Sequence, residues 1–122
     1  MLPSLDGLTF APTGRAETGE VDTATRFGYR EQDGRIWASY RGGEIVHGHL
    51  VGTRVGDTLE FRYVQLNQAG ETSSGRCVSE LSRLADGRLR LDETWAWESR
   101  EGSGTSAVEE ILPARRETRT TY

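Results

Sequence analysis

The residue with the clearest chemical potential in this chain is Glu93. It stands in a run where Leu89, Leu91, Glu93, Trp95 and Trp97 alternate with Arg90, Asp92, Thr94 and Ala96. Period-two spacing puts the carboxyl on the apolar face of a strand. Desolvation between Leu91 and Trp95 raises its proton affinity, which suits a general acid or base. The alternative is a structural carboxylate, hydrogen-bonded to Ser79 or Tyr63. Tyr63, in Leu59-Glu-Phe-Arg-Tyr63, is the neighbour expected to orient or polarise a substrate. Tyr40, Trp95 and Trp97 join it as faces on which a planar ligand can stack, with Gln65 and Asn67 at the same level. As core filler these aromatics would be equally at home.

Other reactive side chains carry less. His47 and His49, two apart on a strand, share a face and form half of a metal site at most. A two-residue Gly42-Gly43 turn would put them inside; Gly48 and Leu50 are an equally good inward set. Cys77 reads as buried and inert, because no cation is placed beside it to lower its pKa. All fifteen basic residues are arginine, which excludes Schiff-base, pyridoxal-phosphate and phosphate-loop lysine chemistry. No Ser-His-Asp spacing is visible. Neither a metal nor an organic cofactor is expected.

The elements that must position these residues follow from length and pattern. At 122 residues with a net charge of −4, the chain has the size of one domain. Its acid excess, with no basic run longer than Arg115-Arg116, speaks against a nucleic-acid partner. No run approaches the roughly 18 apolar residues of a membrane helix. One cysteine cannot close an intrachain disulfide, and Met1 to Asp6 lack a positive, apolar export segment, so a cytoplasmic protein is expected.

Hydrophobic alternation predicts eight strands: Leu8–Thr13, Ala24–Gln32, Arg35–Arg41, Glu44–Arg54, Thr58–Asn67, Glu71–Leu84, Arg88–Glu98 and Thr105–Leu112. Asp33-Gly34, Gly42-Gly43, Gly56-Asp57, Ala69-Gly70 and Asp86-Gly87 between them supply the positive φ of tight hairpins. Two connections are longer. Gly14–Thr23 is one; the other, Ser99–Gly104, is either a lid or a plain surface loop. Residues 1–112 are read as one barrel domain and 113–122 as a polar tail. Eight antiparallel strands either leave two edges or close on themselves, and closure alone removes the edges. The expected fold is all-β: an eight-stranded, up-and-down antiparallel barrel of calycin or lipocalin type, wide enough for side chains or one small ligand.

Side-chain parity then orients the interior. Leu59, Phe61, Tyr63, Gln65 and Asn67 face inward on the fifth strand, and Ile36, Ala38 and Tyr40 on the third. All odd strands run from aliphatic to aromatic or polar, so one end is plugged and the other is a polar, aromatic mouth. Three-residue loops at Gln68-Ala69-Gly70 and Ala85-Asp86-Gly87 set Gly75 opposite Trp97, Cys77 opposite Trp95 and Ser79 opposite Glu93. The other register would pair Glu80 with Glu93, a repulsive contact.

The segments Tyr40-Arg-Gly-Gly-Glu-Ile45, Leu59-Glu-Phe-Arg-Tyr63, Gly75-Arg-Cys-Val-Ser79 and Asp86-Gly-Arg-Leu-Arg-Leu-Asp-Glu-Thr-Trp-Ala-Trp97 resemble a family of small bacterial proteins. Its members commonly carry the label "N-acetylglutamate synthase". The resemblance covers about Phe27 to Ile111 and implies a small single-domain barrel. In that family a histidine often stands two residues after the position of Tyr63; this chain has Gln65. The Arg/Gln-x-x-Gly-x-Gly/Ala loop with which acetyltransferases cradle coenzyme A does not occur, so N-acetyl transfer is not expected.

The function expected is binding of a small molecule at the mouth, by Tyr40, Gln65, Asn67, Cys77, Ser79, Trp95 and Trp97. The alternative is a cofactor-independent proton-transfer enzyme, a cyclase, isomerase or dehydratase, in which Glu93 moves the proton and Tyr63 assists. Trp37, Val46, Val64 and Leu66 are outward candidates for the contact of a homodimer.

Overall fold

The computed structural model describes residues 2–16 and 19–113. Its strands are β1 (Thr9–Pro12), β2 (Arg26–Gln32), β3 (Arg35–Gly42), β4 (Ile45–Val55), β5 (Thr58–Asn67), β6 (Thr72–Arg83), β7 (Leu89–Trp97) and β8 (Ser103–Ile111). Each pairs antiparallel with the next, and β1 pairs with β8, so the sheet closes into a barrel. The polar tail expected beyond Pro113 falls outside the described residues.

Alternation converts directly into two faces. On β7 the inward Leu89, Leu91 and Trp97 are buried while Asp92 and Thr94 are exposed. The β6–β7 register sets Gly75, Cys77 and Ser79 against Trp97, Trp95 and Glu93, as the turn glycines predict. Expected β2 starts late, at Arg26, because Asp22 and Thr25 form their own turn. There Ala24 N donates to Asp22 Oδ1 at 2.8 Å and Thr25 N to Asp22 O at 2.9 Å. The Thr25 hydroxyl then donates to Gly42 O on β3 at 3.0 Å.

The β3–β4 hairpin resolves the histidine question. It turns at Gly43-Glu44, and the register shifts again between Ile45 and His47. The bulge makes Ile45, Gly48 and Leu50 the inward set and leaves His47 exposed and His49 half-buried on the outer face. Gly48 is needed inside, because a β-carbon there would overlap the ring of its cross-strand partner Tyr40.

The closed end is filled by Leu59, Leu89 and Leu91, and by Leu5, which is fully buried. Leu5 comes from the segment preceding β1, not from a strand. Arg54 holds that segment in place by donating to Pro3 O at 2.8 Å and Leu2 O at 2.9 Å, and it pairs with Glu31 at 3.1 Å. Glu31 in turn accepts from Leu5 N at 2.8 Å.

Candidate functional site

Above this plug the barrel keeps a cavity of about 70 Å³. That is well below the roughly 300–1,000 Å³ of drug-sized sites, so it admits only a small guest. Leu50, Phe61 and Val108 make aliphatic and aromatic wall, and Phe27 stacks on Tyr40 with ring centres 4.5 Å apart. Tyr63, Trp97 and Trp95 follow edge to face, at 5.6 and 5.8 Å. Small residues make room for these rings: Gly75 lies beneath Tyr63, and Gly104 lies opposite Trp95.

Glu93 projects into this apolar space. Ser106, on the neighbouring β8, donates to its Oε1 at 3.2 Å, and Ser79 bonds it from β6. Burial pushes the carboxyl up from 4.5 to about 7, outweighing the lowering by the two serine hydroxyls. The acid is therefore poised to gain or lose a proton near neutral pH. Cys77 lines the wall beside it; burial and the nearby Glu93 charge raise its thiol far out of the reactive range. Tyr63 does not reach Glu93: its hydroxyl donates to Ala96 O at 3.4 Å, and burial holds it protonated.

At the mouth, the connection after β1 crosses the opening and contributes Ala16, Gly19, Glu20 and Val21 to the lining. Glu20 is the latch. Its carboxylate accepts from Gln65 Nε2 at 2.9 Å and Asn67 Nδ2 at 2.8 Å, and lies 3.8 Å from Arg100. The Arg100 guanidinium is stacked 4.2 Å from the centre of the Trp97 ring. Tyr40 completes the chain by donating to Gln65 Oε1 at 2.7 Å.

Of the expected site residues, Tyr40, Tyr63, Gln65, Cys77, Glu93, Trp95 and Trp97 line one cavity. Asn67 and Ser79 do not. Asn67 organises its hairpin, accepting from Ala69 N and Glu71 N at 3.0 and 2.9 Å while its amide holds Glu20 and Glu71. Ser79 is fully buried on the inward face, bonded to Glu93 and 3.6 Å from the Cys77 sulfur. Sequence reasoning missed Glu20 and Arg100, which lie in loops without periodicity, and Ser106. Ser106 was accessible in principle, since it shares strand parity with the inward Val108.

Below the cavity the Tyr29 hydroxyl is buried with no hydrogen-bond partner, the one such side-chain atom among the described residues. Also among these residues, no three His, Cys, Asp or Glu side chains gather as a metal site.

A closed eight-stranded meander, plugged at one end and holding an aromatic-walled cavity under a loop at the other, is a barrel of the calycin type. A family model, described as avidin-like protein, matches residues 3–111. The chain belongs to the avidin-like family, β-barrels that bind small ligands and are often oligomeric. No curated protein and no solved structure matches it. The comparisons thus support the small-barrel part of the expected resemblance and attach no synthase activity to it.

Proposed function

We propose that this protein is a binding module for a small, ring-containing molecule held in the barrel cavity. The observation that carries the proposal is the cavity itself, walled by apolar and aromatic side chains around the carboxyl of Glu93. A barrel needing only stability would gain by filling that space with a larger aliphatic side chain in place of a desolvated acid. The family's ligand-binding habit supports the same reading. A thermal-shift screen with small metabolites is expected to find stabilisers of the wild type, and Trp97→Ala to abolish their effect. A broad library that leaves both melting temperature and tryptophan fluorescence unchanged would overturn the proposal.

A second reading is favoured by one observation, the proton affinity of Glu93 near neutrality. In that reading the barrel is a proton-transfer enzyme of the cyclase, isomerase or dehydratase kind, with Glu93 moving a proton at a substrate carbon while Tyr63 shapes the cavity beside it. Glu93→Gln then keeps ligand binding and loses turnover. Equal turnover in both proteins would end this reading.

A further inference from the structure

Glu93 narrows the chemistry of the occupant. The described residues that line the cavity include no arginine and no histidine. Of the described arginines at the mouth, Arg15 donates to Gly19 O at 3.2 Å and Arg100 is engaged with Glu20 and the Trp97 ring. Glu20 is also tied to Gln65 and Asn67. Glu93, by contrast, is bonded among the described residues by the Ser106 and Ser79 hydroxyls. A carboxylate offers about four lone-pair sites, so acceptor capacity remains on the cavity side. None of the described residues lining the wall supplies the positive counterpart that an anionic ligand would require, and two acidic side chains, Glu20 and Glu93, oppose it.

The walls add shape. Trp95, Trp97, Tyr63 and Phe61 present ring faces and edges, which favour a flat guest and a delocalised positive charge. The cavity of about 70 Å³ limits the guest to one small ring at most.

We infer that the ligand is a small planar nitrogen base, one ring carrying an amidine-like N–C–N edge, which pairs two of its nitrogens with the two carboxyl oxygens of Glu93. The inference rests on the binding-module reading and specifies its ligand class. The same two hydrogen bonds form whether the shared proton sits on a Glu93 oxygen or on the ring nitrogen. In the second case the O–H bond breaks, an N–H bond forms, and the result is a charge-assisted pair. Burial strengthens such a pair, and an unpaired charge there is correspondingly disfavoured.

The test uses three probes of similar size on the full chain: 2-aminopyridine as the planar base, toluene as its neutral counterpart, and benzoate as the anion. Binding is measured by calorimetry and thermal shift on wild type and Glu93→Gln. The expected result is that 2-aminopyridine binds wild type best, that Glu93→Gln weakens it by about tenfold or more, and that toluene binds both proteins alike. Benzoate is expected not to bind. Toluene or benzoate binding wild type as tightly as the base would overturn the ligand class while leaving the cavity reading intact. So would Glu93→Gln binding the base undiminished. If none of the three binds wild type, the ligand class fails, and the binding-module reading is decided by the metabolite screen.

Discussion

The Ser106 hydroxyl donates to Glu93 Oε1 at 3.2 Å from the adjacent strand, and this bond lowers the carboxyl's proton affinity less than burial raises it. A stability profile follows. The folded-state value near 7 lies above the ordinary 4.5, so the native state binds the proton more tightly than the unfolded chain. Below about pH 4.5 both states are protonated and the pH-dependent cost of Glu93 vanishes. As pH rises toward 7 the unfolded state ionises first and stability falls, by about 3 kcal/mol in all at about 1.4 kcal/mol per pH unit. Above 7 the loss is constant. The advantage of Glu93→Gln over wild type in urea unfolding is therefore expected to grow between pH 4.5 and 7 and then level off. A difference independent of pH would contradict the placement of Glu93 in a desolvated site.

Glu20→Ala is expected to loosen the roof of the cavity. It strips the acceptor from the buried Gln65 amide and one from Asn67, and frees Arg100. An unsatisfied buried donor costs about 1–3 kcal/mol. Acrylamide quenching of tryptophan fluorescence should rise with it, because Trp95 and Trp97 lie under that loop. Glu101→Ala, at an exposed position in the neighbouring connection, serves as control. Equal quenching in both variants would show that Glu20 does not hold the mouth closed.

Gly48→Ala tests the packing that shapes the interior. The added β-carbon would overlap the Tyr40 ring, and overpacking of this kind destabilises by about 1–3 kcal/mol. Combining it with Tyr40→Leu should cost less than the two changes summed, since the clash then disappears. Strict additivity would mean that the two side chains do not meet.

The strands were legible because every hairpin carries a glycine at or beside its turn and most strands alternate. Register was legible where loop length admits one solution, as at Ala85-Asp86-Gly87. It was ambiguous at Gly42-Gly43-Glu44, where two turn geometries fit; the bulge after Ile45 turns His47 outward and leaves Gly48, which has no side chain, against the Tyr40 ring. Glu93, Trp95 and Trp97 were visible as interior residues because polarity interrupts an apolar stripe. Glu20 and Leu5 were not, since each is one residue in an aperiodic segment whose partners are distant in sequence. Gln65 and Asn67 were correctly seen as polar residues near the mouth, but their amides are taken up by Glu20, which only the folded loop brings there.

The outer surface of β4 and β5 exposes Val46, Val51 and Val64, the last 49% accessible, next to the half-buried Trp37 and Leu66. We propose that this face pairs two copies of the chain. Sedimentation at micromolar concentration is expected to show a dimer, and Val64→Arg to leave the 13.6 kDa species. Wild type sedimenting as that species alone would refute the pairing.

The central claim, that a small molecule occupies the barrel interior, is tested most directly by the three tryptophan indole N–H resonances of the labelled protein. Trp95 and Trp97 line the cavity, while Trp37 lies outside it, paired with Val51 across β3 and β4. On titration with 2-aminopyridine, or with any stabiliser from the metabolite screen, the signals of Trp95 and Trp97 are expected to move to saturation while that of Trp37 stays in place. A bound molecule that shifts Trp37 and leaves Trp95 and Trp97 unmoved would contradict the account.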